Sequence, residues 1–240
     1  MNPLLPLGIL AFLVGLWATR SAASPAVAPA PGGPVPTSNP DPGDALSKLS
    51  DTMRPKVARV LERARQLGID LRLHEGERSP QKQAEYFARG RSQEELDDAA
   101  ATLQEWGAPW LASLVRAETP RPDLAQNTRA LPGQGWHAYG LAADVWWYKN
   151  GSVTWDLYLD GDMNGYAVLG QLAEDEGLTW GASFGDFVHV QEPSLSESPA
   201  TLFGGWPAVD AMLRQEFLSL IHISEPTRRT PISYAVFCLK

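Results

Sequence analysis

Leu46, Leu49, Met53, Val57, Val60, Leu61, Ala64 and Leu67 recur at three- and four-residue intervals, the spacing that lines one face of a helix. Gly68 stands where a left-handed residue would end that helix, and Pro55 is a point at which it divides in two. "IDLRLHEG" then alternates apolar and polar residues as a half-buried strand does. Ser79-Pro80 opens a second helix through "QKQAEYFARG", with serine as its cap and proline in its first turn. Between Ser92 and Gly135 the pattern breaks up. "EELDDAAATLQEW" is helical, while Pro120, Pro122 and Pro132 punctuate a stretch that reads more as an insertion than as framework. From Gly140 the run "GLAADVWW" reads as a buried strand. Lys149-Asn150-Gly151 is a turn, "SVTWDLYL" a short strand, Tyr166 to Glu176 a helix closed by Gly177, and "FVHVQ" a last strand.

The two ends of the chain read differently from its middle. Residues 1–23 hold an apolar run from Leu4 to Ala18 followed by Ser21-Ala22-Ala23, a pattern that suits an export signal cut after small residues. No Lys or Arg precedes the run and Arg20 follows it, so an uncleaved N-terminal anchor is the alternative. Either reading places the rest outside the cytoplasm, secreted or in the cell envelope, with membrane contact only through that segment. Residues 24–43 alternate proline with small residues and form an extended spacer. At the other end, "LSLIHISEPTR" (Leu218 to Arg228) and "ISYAVFCL" (Ile232 to Leu239) read as translated sequencing-library adapter, so residues 218–240 are set aside as an artefact. A further domain, such as one that binds the cell wall, would then have followed Phe217. Residues 44–217 are the right length for one well-buried domain, expected to act as a monomer.

Setting that tail aside changes the chemistry available. It holds the single cysteine, Cys238, which removes disulfides and thiolate metal sites from consideration. It also holds Arg228, Arg229 and Lys240 against Glu225, so the 20 basic and 28 acidic residues of the whole chain become 17 and 27. So acidic a chain, with no basic stripe, argues against a nucleic-acid partner.

Three histidines remain: His74, His137 and His189. Asp144 sits in the apolar Gly140 strand, where an ionised carboxylate costs several kcal/mol unless a cation or hydrogen bonds meet it. Alternation puts Ala142, Asp144 and Trp146 on one face, with His137 just before the strand, while His189 lies on the last strand after Asp186. Two neutral imidazoles and one carboxylate, with a fourth position open to water, make a catalytic zinc site in its simplest form. Asp186 is then the natural general acid or base, provided the chain bends near it, since a strict strand would put it and His189 on opposite faces. His74 reads as a structural residue.

His137-x-x-Gly140-x-Ala142-x-Asp144, followed by Trp180-Gly181 and Asp186-x-x-His189, resembles the zinc D,D-carboxypeptidase and L-alanyl-D-glutamate endopeptidase family, which cuts peptidoglycan stem peptides. "EGERSPQKQAEYFARGRS" looks like that family's arginine motif in its phage endolysin branch. The resemblance implies that His137, Asp144 and His189 bind zinc, that Asp186 is the catalytic acid/base, and that Arg78 polarises the scissile carbonyl. It gives Gln83 a place in the same pocket. The chain departs from the family in having Gly135 where serine is usual, which bears on substrate preference, and Val188 where proline is usual.

Pattern and resemblance together predict an α+β fold of the D,D-peptidase type, a small antiparallel sheet flanked by helices, with zinc at the sheet edge. The expected function is endopeptidase cleavage between L-Ala and D-Glu of the stem peptide. Removal of terminal D-Ala is the alternative, and a non-catalytic peptidoglycan-binding module is the alternative from another class. Trp136 and Trp180, adjacent in sequence to the motifs, are candidate substrate-binding aromatics. Asp160, Asp162 and Asn164 match the first half of a calcium loop, but Gln171 occupies the twelfth position, where a bidentate glutamate belongs. A polar turn before a helix is the competing reading.

Overall fold

The computed structural model describes residues 42–155 and 164–223. The N-terminal segment, nearly all of the spacer, and Asp160 and Asp162 of the calcium reading lie outside the described residues. The chain begins with α1 (Pro42–Ser47), α2 (Met53–Gln66) and β1 (Asp70–Glu75), followed by three helices, α3 (Pro80–Ala88), α4 (Gln93–Glu105) and α5 (Pro109–Arg116). After a 3-10 turn at Trp136–Tyr139 come β2 (Ala142–Lys149), β3 (Ser152–Val153), α6 (Gly165–Asp175) and β4 (Thr179–Trp180). A second 3-10 turn, Gly181–Phe184, precedes β5 (His189–Gln191), α7 (Pro199–Leu202) and α8 (Trp206–Ile223).

The five strands form one antiparallel sheet in the order β1-β2-β5-β4, with β3 paired to the far end of β2. Asn150 and Gly151 both take positive φ, 54° and 81°, the type I′ geometry whose twist suits a two-residue hairpin between β2 and β3. Alternation along β2 sends Ala143, Val145 and Trp147 into a core shared with α2 and α6, where Met53, Val57, Val60, Leu169 and Tyr166 are buried. Asp144 and Trp146 therefore belong to the opposite face, as the sequence pattern requires.

A second core lies among helices. Ala84, Phe87 and Ala88 of α3, Leu96, Ala100 and Leu103 of α4, Leu111, Ala112 and Val115 of α5, and Val209, Leu213 and Phe217 of α8 pack together. Small alanines let these helices approach closely. The side chain of Asp210 reaches from α8 to accept the Leu111 N–H at 2.8 Å, satisfying one of the orphan donors at the start of α5. The stretch between Ser92 and Gly135 is thus framework and not an insertion.

Other expectations need correction. The first helix does divide, but at residues 48–52, where Ser50 Oγ accepts the Met53 N–H; Pro55 sits in the first turn of α2, where a missing N–H costs nothing. The strand read as "SVTWDLYL" is Ser152–Val153, and its remainder from Asp156 lies outside the described residues. Asn164 is the N-cap of α6, its Oδ1 accepting from the N–H groups of Tyr166 and Ala167. That is the work of a polar turn before a helix, and nothing in it supports calcium.

Candidate metal centre and active site

Three strands place three carriers of the site side by side. Asp144 on β2 pairs with His189 on β5 and with Glu75 on β1, so the three residues form a row across the sheet. His137 enters from the 3-10 turn just before β2. His137 Nε2, His189 Nδ1 and Asp144 Oδ1 stand at the corners of a triangle with every side 3.2 Å.

The hydrogen bonds behind the rings decide which atoms face inward. The Gly76 carbonyl can only accept, so His137 Nδ1, 2.7 Å away, carries a hydrogen and Nε2 presents its lone pair. The Pro193 carbonyl likewise takes the amino end of Gln191 at 2.9 Å, which turns the Gln191 Oε1 towards His189 Nε2 at 3.1 Å. His189 Nε2 therefore carries a hydrogen, and Nδ1 is the lone-pair atom. Two imidazole nitrogens and a carboxylate oxygen then converge with their outer N–H groups already committed, the usual outer-shell arrangement of histidine metal ligands. Donors at tetrahedral zinc, with bonds of about 2.0–2.1 Å, stand about 3.3–3.4 Å apart. The observed triangle fits.

The charges agree with a cation at this point. Burial works against the Asp144 carboxylate, but His137, His189 and Arg78 hold it well below the usual range. Burial also works against a charge on His189, yet its hydrogen bond to Asp144, the Asp144 and Asp186 charges and the Gln191 contact raise its proton affinity. A metal held in the triangle would take the place of a proton at His189 Nδ1.

Asp186 is close to all of them without being a ligand. It follows Gly185 at the end of the second 3-10 turn, and its carbonyl accepts the His189 N–H at 3.3 Å. This is the bend that an acid/base role demanded, and it confines the last strand to His189–Gln191. Gly181 makes the bend possible: a Cβ there would stand 2.4 Å from the Asp186 carbonyl oxygen and 3.0 Å from the His189 Cβ. Burial, and then the Asp144 charge, raise the Asp186 carboxyl above the ordinary carboxylate range against the pull of His189, His137 and Arg78. A carboxyl held above its ordinary value beside the triangle is suited to take and return a proton.

Arg78 flanks the triangle. Its Nη2 donates to Asp144 Oδ2 at 2.8 Å and also to Glu75; its Nε donates to Glu75 Oε2 at 2.7 Å, and its Nη1 to Gln83 Oε1 at 3.0 Å. One Nη1 hydrogen has no acceptor among the described residues. Gln83 is buried, and its Nε2 donates to the Ala130 carbonyl and Thr128 Oγ1. Gln83 thus positions Arg78; its own polar atoms are already occupied.

Of the two tryptophans read as substrate binders, one is buried and the other half-buried. Trp136 is only 5% exposed, and Trp180 packs against α6 at Gly170 with its Nε1 donating to the Phe187 carbonyl. Sequence reasoning missed Phe184, which is 50% exposed with its ring edge-on to His189 at 5.7 Å, and the outer partners Gln191 and Glu75. For Gln191 a signal existed: it lies two residues from His189 on the same strand face. His74 stacks on Trp146 at 3.4 Å and is no ligand.

Comparison with known proteins bears on this arrangement. Residues 129–192, which include all three inward-facing donors and Asp186, match a family described as D-alanyl-D-alanine carboxypeptidase. The chain is also 28% identical over 131 residues to the peptidoglycan L-alanyl-D-glutamate endopeptidase CwlK of Bacillus subtilis (strain 168). That alignment covers 52% of this chain and 61% of the Bacillus protein, so the chain spans less than two thirds of this curated relative.

Proposed function

We infer that the chain belongs to the zinc D,D-carboxypeptidase and L-alanyl-D-glutamate endopeptidase family, and that it hydrolyses a peptide bond in peptidoglycan stem peptides. The observation that carries this reading is the 3.2 Å triangle of His137 Nε2, His189 Nδ1 and Asp144 Oδ1, with Asp186 beside it. When bound there, zinc supplies the Lewis acidity that makes a water nucleophilic near neutral pH.

The remaining steps belong to the chain's own side chains. Asp186, as the carboxylate, removes the proton of the attacking water and returns it to the leaving amine nitrogen. Arg78 has one unclaimed Nη1 hydrogen to donate to the scissile carbonyl oxygen as negative charge grows there. Gln83 and Glu75 fix the plane of that guanidinium. Phe184 stands edge-on to His189 and gives that ring an apolar neighbour.

L-Ala-D-Glu endopeptidase activity is the preferred specificity, supported by the name of the Bacillus relative and by the arginine segment, which resembles the endolysin branch. The description of the matched family favours terminal D-Ala removal as the second reading. Export through residues 1–23 would place the enzyme in the cell envelope with its substrate. Mass spectrometry of peptidoglycan incubated with the zinc-loaded protein separates the readings. New L-Ala C-termini and D-Glu N-termini establish the endopeptidase, and loss of terminal D-Ala alone establishes the carboxypeptidase. Intact peptidoglycan with zinc bound leaves a binding module in its place.

A further inference from the structure

Regular alternation along β1 would send Glu75 into the core beside Leu71 and Leu73. It does not go there. Leu73 pairs with Val145 and Glu75 pairs with Asp144, so β1 carries one extra residue, His74, opposite a single step of β2. A bulge of this kind turns the following side chain to the other face, and here it delivers a carboxylate next to the metal triangle.

What Glu75 does there follows from its partners. It is 7% exposed. Its Oε2 accepts both Nε and Nη2 of Arg78, the two-pronged contact that fixes the plane of a guanidinium, and its Oε1 pairs with Lys82 Nζ at 2.6 Å. Without Glu75, Arg78 would have Asp144 as its nearest anion, and the guanidinium could swing to grip both carboxylate oxygens, including the one that faces the triangle. Glu75 satisfies the inner edge of the guanidinium so that a single Nη2 hydrogen reaches Asp144 Oδ2.

We propose that Glu75 is a positioning residue of this site, which holds the Arg78 guanidinium in the orientation that leaves Asp144 Oδ1 to the metal and one Nη1 hydrogen to the substrate carbonyl. The catalytic half of this statement rests on the peptidase reading above, whereas the orientation of Arg78 does not. Two measurements on the zinc-loaded full chain separate them.

The first is the 15N resonance of the Arg78 Nε–H, identified by its disappearance in Arg78→Lys. The expected result is a slowly exchanging signal in the parent protein that exchanges at least about ten-fold faster in Glu75→Gln. An unchanged signal overturns the proposal even if no peptidoglycan is ever cleaved. The second is stem-peptide kinetics in a double-mutant cycle. Glu75→Gln is expected to lower kcat about 10- to 100-fold, the usual loss for an outer-shell partner, with KM nearly unchanged and no further loss when added to Arg78→Lys. Losses that multiply, or a Glu75→Gln enzyme as fast as the parent, overturn it. Should Glu75→Gln not fold, Glu75→Asp keeps the charge with a shorter reach. Its expected signature is a weakened Arg78 signal with an intermediate kcat, and parent-like values for both overturn the proposal.

Discussion

Behind the sheet, the core around Leu73, Val145 and Leu169 presses on strands whose other face carries Glu75 and Asp144, joined there by Arg78 and His137. Among the helices, the core around Leu103, Leu111 and Leu213 has buried charges as well, in Arg91 and Asp210. The partners differ. Arg91 donates to the carbonyls of Phe87 and Thr128, and Asp210 accepts the Leu111 N–H, so both serve the backbone. In the sheet half the buried charges serve one another and an expected metal. The same burial of charge thus secures backbone in one half and, on the peptidase reading, prepares a reactive site in the other.

If that division is real, substitutions should sort cleanly between the halves. His189→Ala removes one of three donors, and peptidoglycan cleavage should fall at least about 10³-fold as several kcal/mol of Lewis-acid stabilisation is lost. Metal analysis of the same preparation should find less zinc. Asp186→Asn, also in the sheet half, should keep its zinc and lose about 10²- to 10⁴-fold in kcat. Because the raised Asp186 carboxyl must ionise to act as a base, kcat/KM of the parent should fall as pH drops through a value above the ordinary carboxylate range. That limb should vanish in Asp186→Asn, and its persistence would move the base elsewhere.

In the helical half the readout changes to stability. Leu111→Ala opens a cavity at a fully buried position and should cost about 2–5 kcal/mol in urea unfolding, with zinc stoichiometry unchanged in the protein that remains folded. Asp210→Ala uncaps α5 and should cost about 0.5–2 kcal/mol, again with kcat preserved. A large kcat effect from either would show that the two halves are coupled more tightly than their hydrogen bonds imply.

The three residues of the triangle were legible because they lie close in sequence to glycines and apolar runs with a distinct spacing. The bend that the reading of Asp186 required is present as well. The β1 bulge was not, since a two-residue alternation looks the same whether or not a partner strand skips one residue; Glu75 was hidden with it. α5 and the closing helices α7 and α8 were not among the elements read from the pattern; Pro109, Pro199 and Pro207 each sit in the first turn of one of them, where proline is tolerated. The short β4 and the burial of Trp136 depend on what packs across from them, and local pattern carries none of that information.

The row of Glu75, Asp144 and His189 also sets an order of events during synthesis. A ribosome delivers β1 and then β2 well before β5, so the growing chain has Arg78 and Asp144 to join before His189 exists to complete the triangle. On the zinc reading, tight metal capture waits for the last of these strands to dock, and metal uptake in a refolding experiment becomes a clock for closure of the sheet.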